Sequence, residues 1–543
     1  MNKLKYLIVL ATILVGFSSC TDSFDDYNRN SYGVTDELKK ADWIYLKAYF
    51  PQMEQSIYYN NSGGNWEWQV AQNLNSDLFG GYLTPPTAYN NDKNNINYFM
   101  MEGWNKWAFN LYNNNIMKPW LNVKKLTYDE KKFLDVYGVA LILKVAGMHR
   151  CTDLYGPIPY SKYGAGTVTS EYDSQEAIYN QFFAELDEAI GYLDAHLNGP
   201  ESAVNRLGAA DYIYKGNYKK WIQWANSLRL RLAIRISKVN PAKAKLEGEK
   251  AMANPYGIIE RNSQNVTVPT GNMGHPLSII AYDYNDTRMS ADMESILTGL
   301  KDPRIERYFT KATDSDPNIK GQYRGIRQGI YMTSKDLRVK YSNLGEIYKL
   351  DDRYVTPVIL MTASEVYFLR AEGALRGWSN MGGTPSQLYQ AGVETSMGQW
   401  DVSGTSAYLN DGSSTPANYV DYKNSKYNAP AASHVTVKWD ESASNEVKLE
   451  KIITQKWIAM FPEGAEAWSE FRRTGYPKLF PIVENNSNGE ISSTVMIRRL
   501  RFPEDEYNYN KTEVLKAIQL LKGAKDSPGV QLWWDTNTGV SNF

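Results

Sequence analysis

Cysteine and histidine are nearly absent from this chain: its 543 residues include two Cys and four His. The histidines, His149, His196, His275 and His434, are scattered, so no zinc framework can be assembled from His and Cys spacing. No H-E-x-x-H, no G-x-S-x-G and no P-loop occurs, and Gly164-Ala165-Gly166 lacks the third glycine of a dinucleotide-binding turn. Charge of one sign is also lacking. Lys and Arg number 59 against 60 Asp and Glu, a formal charge of -1, so there is no basic field for nucleic acid. Beyond the N-terminus no apolar run is long enough to cross a bilayer. No catalytic residue, metal or cofactor is therefore assigned, and the absences favour a binding protein over an enzyme. Sixty carboxylates allow many pairs of the kind a glycoside hydrolase uses, and no pattern selects one. A surface glycoside hydrolase and a protein-binding scaffold stand as rival readings.

Aromatic residues, by contrast, are plentiful: 40 Tyr and 15 Trp. Their rings join an apolar face to a polar edge, which suits a wet binding surface as well as a core. The N-terminus carries the densest information. Lys3 and Lys5 form a basic start, Leu7 to Val15 an apolar stretch, and Phe17-Ser18-Ser19 leads into Cys20. This is secretory-signal grammar, and Cys20 after small residues looks like a lipidation site. Phe17 stands where such sites usually carry Leu, and an ordinary signal peptide cleaved elsewhere is the alternative. The reading divides the chain into a signal peptide (1–19), a lipidated tether (20–40) and one domain (41–543). Cys151, at the end of an apolar segment, reads as a buried small hydrophobe.

Helical periodicity recurs along the domain, in pairs near 131–197, 217–253, 361–399 and 446–474. Residues 131–150 are apolar almost all round, which predicts a buried helix. Asp173 with Glu176 three residues on, and Thr362 with Glu365, give N-terminal capping signals. Small residues lie beside large aromatics, as with Ala371 and Ala374 near Tyr367 and Phe368, and Gly392 near Tyr389. The expected class is mainly α, built of tetratricopeptide-like helix pairs; an irregular helical domain is the other possibility. Between the pairs lie polar, aromatic-rich stretches near 60–115, 256–354 and 400–440, read as long loops. Loops of that length in a compact domain usually carry function.

Several blocks resemble the SusD/RagB family of Bacteroidetes outer-membrane lipoproteins. They are Cys20 with the acidic residues behind it, His149 to Tyr160 (HRCTDLYGPIPY), Trp221 to Ala233 (WIQWANSLRLRLA), Asn285 to Ser290 leading into Asp302-Pro303-Arg304, and Ile453 to Gly464 followed by Phe471 to Pro477. The resemblance runs in order over essentially the whole chain after the signal peptide. It implies a SusD-like fold, helix pairs against an irregular ligand-binding region. It also implies a lipid anchor in the outer membrane, facing outward, and a SusC-type TonB-dependent transporter as partner, to which a captured glycan, or in some members a peptide, is delivered. The arginines in these blocks, Arg229, Arg231 and Arg235, read as internal partners of carboxylates, and Arg472 and Arg473 as favouring the end of a helix. Ligand contact is expected elsewhere. A sugar offers C–H faces to rings and hydroxyls to amides, which selects Trp66, Trp68, Tyr82 and Tyr89 in the first aromatic stretch and Tyr282, Tyr284 and Asn285 in the second. For each of these the competing reading is a packed core or loop aromatic.

Overall fold

The computed structural model describes residues 41–59, 64–166, 169–349, 355–537 and 541–543. Cys20, the signal peptide and the tether lie outside them. Residues 41–48 are a small separate unit, the turn Ala41–Trp43 and the helix Ile44–Lys47. The compact body runs from Tyr49 to Phe543. It is mainly helical.

Eight helices make the four pairs: α1 (Leu134–Tyr155) with α2 (Gln175–Leu197), α3 (Tyr218–Arg235) with α4 (Pro241–Ala253), α5 (Ala363–Leu375) with α6 (Pro385–Gln399), and α7 (Asn445–Ala459) with α8 (Gly464–Thr474). Within the first three pairs the two helices pack on each other, and α3 links the first two pairs to the third by touching α2 and α5. Local chemistry sets the starts. Asn217, Asn240, Thr362, Thr384 and Ser444 each accept from a backbone N–H one turn in, and Pro241 and Pro385 occupy first positions where no N–H is needed. The cap of α2 is Ser174, not the expected Asp173. Asp173 is held in a two-stranded pairing with Ile158, and its carboxylate accepts from the Ser161 N–H and hydroxyl at 2.7 Å each. Glycine brings partners close: a Cβ on Gly392 would stand 2.8 Å from the Phe368 ring, and one on Gly248 2.3 Å from that of Trp378.

The frame has a charged interior. Arg231 donates to both oxygens of Glu365 at 2.7 Å, Arg235 to Glu470 at 3.0 Å and to Glu466, and Arg229 to Asp187 at 2.5 Å and to Glu247. Arg473 forks onto Glu372 at 2.6 Å twice and reaches Glu470 at 2.6 Å. Both arginines at the end of α8 are fully buried, so the helix dipole is a minor influence there. Among the described residues Arg472 pairs with no carboxylate: it donates to the Asp153 and Arg498 carbonyls at 2.6 and 2.9 Å and lies 3.8 Å from the centre of the Trp468 ring. Burial lowers its guanidinium pKa to about 9. Cys151 is buried, and burial pushes its thiol up.

The stretch near 60–115 is not a loop. From residue 64 it folds as the helix Asn65–Trp68, a π-helical run Gln69–Asp77, and the helix Glu102–Tyr112. Its asparagines hid this, because their side chains serve the backbone. Asn75 Nδ2 donates to the Val70 and Ala71 carbonyls at 3.0 and 2.7 Å. Asn95 donates to Leu74 O at 2.8 Å and accepts from Met101 N–H at 3.0 Å. Satisfied in this way, buried polar residues sit inside a helical layer at little cost. The second stretch, 256–354, likewise holds a helix, Ala291–Gly299, capped by Ser290. Short antiparallel pairs stitch these regions: β1 (Leu83–Thr84) with β5 (Arg288–Met289), β2 (Ile158–Pro159) with β3 (Tyr172–Asp173), and β4 (Val266–Val268) with β6 (Val358–Met361).

Candidate functional site

The β1–β5 pairing brings the first aromatic stretch against the second, and an aromatic rim forms where they meet. Trp66 is 49% exposed and meets Trp107 edge-on, ring centres 4.8 Å apart. One turn beyond Trp66, Gln69 donates its amide to the Tyr89 hydroxyl at 3.1 Å. Tyr89 stands edge-on to Trp104 at 5.3 Å. Trp104 and Trp107 are three residues apart on one helix, which puts both on the same side. Beside Tyr89, Thr87 donates to Asp286 at 2.6 Å. Lys335 then ties Asp286 (2.7 Å) to the Tyr284 carbonyl (2.8 Å). Tyr284 is 40% exposed. Hydrogen bonds and ring contacts thus run from Trp66 to Tyr284 through both stretches. Burial, and then the Asp286 carboxylate, push the Tyr89 hydroxyl up, so it stays neutral.

Backbone strain gathers here. Asn90, Asn91 and Asp92 are three consecutive left-handed residues, with φ of 49°, 52° and 60°, and Thr333 (φ 47°) is a fourth. Asp92 joins them: its carboxylate accepts from the Met332 and Thr333 N–H groups at 3.0 and 3.1 Å. Left-handed non-glycine residues cost energy and persist when surrounding contacts hold them. This turn fixes the edge of the rim that carries Tyr89.

The residues selected from sequence divide sharply. Trp66, Tyr89 and Tyr284 lie on the rim. Trp68 and Tyr82 do not: both are fully buried. Trp68 packs on Tyr58 at 5.2 Å, and Tyr82 packs between Trp457 and Phe461 with its hydroxyl donating to the Trp457 carbonyl. They are core residues, since helical geometry turns Trp68 inward when Trp66, two positions away, faces out. Tyr282 is half-buried and its hydroxyl donates to Leu344 O at 2.6 Å; burial raises its pKa to about 12. Asn285 takes φ 54° and spends its side chain on its own turn, donating to Tyr282 O at 3.1 Å and accepting from Arg288 at 3.0 Å. Sequence reasoning passed over Trp104, Trp107, Asp286 and Lys335. The i, i+3 spacing of the two tryptophans was the available signal, and reading the stretch as a loop concealed it.

What the arrangement can do is bind. Ring faces and edges stand beside amide, hydroxyl, carboxylate and ammonium groups, a set suited to a polyhydroxylated ligand with apolar faces. Among the described residues no helix is long and apolar enough to cross a membrane, and no group of three His, Cys, Asp or Glu is placed to hold a metal.

Comparison with known proteins follows the same line. The family described as SusD-like, Susd and RagB outer membrane lipoprotein, matches residues 26–535. Solved structures match over most of the chain. A chitin-binding SusD homologue from Flavobacterium johnsoniae is 42% identical with a TM-score of 0.86, covering 92% of this chain and 100% of its own. A SusD homologue from Bacteroides vulgatus is 39% identical, TM-score 0.85, over 92% and 99%. A SusD-like protein from Bacteroides thetaiotaomicron is 32% identical, TM-score 0.83, over 91% and 100%. No curated protein matches.

Proposed function

The chain belongs to the SusD-like family of outer-membrane lipoproteins, and from that premise we propose that it captures a glycan at the cell surface and passes it to a SusC-type TonB-dependent transporter. The observation that carries the binding role is the rim: Trp66, Trp107, Trp104, Tyr89 and Tyr284 linked through Gln69, Asp286 and Lys335. The rings meet C–H faces of the sugar, and the polar groups between them meet hydroxyls. The protein acts without bond cleavage, holding its cargo by reversible contact. Lipidation at Cys20 tethers it to the outer membrane, with the rim facing outward. Two or three acyl chains hold firmly, at about 0.8 kcal/mol per buried CH₂.

The chitin-binding relative makes N-acetylglucosamine oligomers the first glycans to offer. Stacking one ring on a sugar buries about 100 Å², counting both surfaces, and gains about 2.5 kcal/mol before ordering costs. A few such contacts give a dissociation constant of about 10⁻³ to 10⁻⁶ M, loose enough for release. The experiment is titration of the purified chain with a panel of oligosaccharides, together with an assay for new reducing ends and affinity purification from native outer membranes. Saturable binding, no turnover and a co-purifying TonB-dependent transporter are expected. Turnover abolished by replacing one carboxylate, or no oligosaccharide bound across the panel, refutes the proposal.

A further inference from the structure

A second concavity of about 520 Å³ shares no residue with the rim. Its floor is the outer face of the β4–β6 pair. Burial alternates along β4 and over the first three residues of β6: Val266, Val268, Val358 and Leu360 are buried, while Thr267 and Ile359, directly opposed in register, are half-buried and line the cleft. One wall is aliphatic, with Ile347, Pro357 and Val355, the last 75% exposed. The other wall is a row of side-chain amides. Asn265 donates to Gln399 Oε1 at 3.2 Å and accepts from the Ala363 N–H at 2.8 Å, which leaves the Gln399 amide nitrogen as a donor.

Two polar atoms in these walls are unsatisfied. Among the described residues the indole N–H of Trp400 and the amide oxygen of Asn262 have no partner, although both are shielded from solvent. Trp400 is 9% exposed and packs edge-on against Tyr308 at 5.1 Å. Buried polar groups are rarely left unpaired, so a donor and an acceptor orphaned in one cleft point to a partner that supplies one of each. Among the described residues the lining carries one charge of each sign, Arg307 and Asp401. Arg307 donates to the Asp401 carbonyl at 3.0 Å and lies 3.7 Å from its carboxylate. A neutral ligand with an amide and a small apolar group fits both walls. A peptide strand fits poorly, since it would lie over the face of the sheet and not along its edge, leaving main-chain groups without a ladder. A plain sugar offers hydroxyls to the amides but leaves the aliphatic wall wet.

We propose that this cleft is a second saccharide subsite that takes an N-acetylated sugar residue, its acetyl methyl against Val355 and Ile359 and its amide toward Asn262 and Trp400. Small shifts of the wall side chains expose the two orphaned atoms to the incoming amide. A second subsite raises the hold on a long chain by raising its effective concentration at the first.

The test uses the full-length chain purified in detergent, carrying Trp66→Ala and Trp107→Ala to disable the rim. The probes are the disaccharide of N-acetylglucosamine, the corresponding disaccharide of glucosamine, cellobiose and a neutral tetrapeptide. Calorimetric titration should show binding of the acetylated disaccharide alone, and saturation-transfer NMR should mark its acetyl methyl most strongly. Adding Val355→Asp, at an exposed position that folding tolerates, should weaken binding about fivefold or more, and Trp400→Phe, which keeps an aromatic ring, though a smaller one, and removes the N–H, about threefold or more. The proposal is overturned if the acetylated disaccharide does not bind, if cellobiose or the peptide binds equally well, or if both substitutions leave the titration unchanged. Failure of the rim reading is separate: it appears as full oligosaccharide affinity surviving the two rim substitutions, with Val355→Asp in the otherwise native chain still reporting on the cleft.

Discussion

Replacing Trp66 with Ala separates binding from folding. The side chain is 49% exposed and meets Trp107 edge-on. A stacked sugar covers about 50 Å² of the free ring face and buries a similar area of its own, about 100 Å² in all, which corresponds to about 2.5 kcal/mol. Ordering of the sugar on the ring opposes this by about 1 kcal/mol. The net loss of about 1.5 kcal/mol is a rise in dissociation constant of about tenfold. Thermal unfolding should hardly change, because little buried area is lost. Trp68→Ala is the reciprocal control. That ring is fully buried against Tyr58, so its removal should cost about 3–5 kcal/mol of stability and leave the affinity of the folded fraction within about twofold. Isothermal titration with an N-acetylglucosamine hexamer and denaturant unfolding read the two quantities independently. The reasoning is refuted if Trp66→Ala, Trp107→Ala and Tyr284→Ala combined leave affinity unchanged, or if Trp66→Ala unfolds the protein as Trp68→Ala does.

Three further outcomes are expected. Lys335→Ala frees the Tyr284 segment from Asp286 and should weaken glycan binding about threefold while barely moving the urea midpoint, because the lost ion pair is partly solvated; an unchanged titration would remove Lys335 from the site. Glu372→Ala leaves the buried Arg473 with Glu470 as its remaining carboxylate, beside the Ser237 hydroxyl at 3.4 Å, and should cost about 3–5 kcal/mol in denaturant unfolding, with Glu372→Gln recovering part of it; a loss under 1 kcal/mol would contradict the charged-core account. Stability should also depend on pH through groups of opposite sense. Burial pushes the carboxyls of Asp292 and Glu294 up to about 7, so their contribution is full below about pH 4 and is lost as pH rises through 7. Glu372, beside Arg473 and Arg376, is held down at about 2, so its contribution is present above about pH 4.5 and is lost as pH falls through 2. Burial holds the imidazoles of His149 and His275 down, which acts in the opposite sense over the same range, so the readout is a difference: Asp292→Asn with Glu294→Gln should make the urea midpoint fall less, or rise more, between pH 5 and 8, and an unchanged slope would refute the assignment.

What could be read from sequence was local. Helix pairs announce themselves because an apolar stripe at 3.6-residue spacing and a capping residue act within a few positions. Thr362, whose hydroxyl accepts from the Glu365 N–H at 3.1 Å, is such a case. Even there, the Glu365 carboxylate serves Arg231, 134 positions away, and not the cap. The rim was legible in part: aromatic density singled out the stretches whose rings form it, but ring-bearing residues look alike in a one-dimensional string whether they face water or core. Trp66 and Trp68 differ by two positions and end on opposite sides of a helix. Asn-rich composition read as loop because nothing local says that an amide will find the carbonyls of its own helix, as Asn75 does.

The sequence by itself determined the order of the four helix pairs, the near-neutral overall charge, the absence of recognisable catalytic motifs and the family blocks, since each depends on residues adjacent along the chain. Only the tertiary structure decided which rings are exposed, which arginine meets which carboxylate, and that a two-stranded sheet turns Thr267 and Ile359 toward a cleft. Those outcomes depend on contacts between residues tens to hundreds of positions apart. Burial, which fixes both the energy of a ring and its availability to a ligand, exists only once the distant segments have packed.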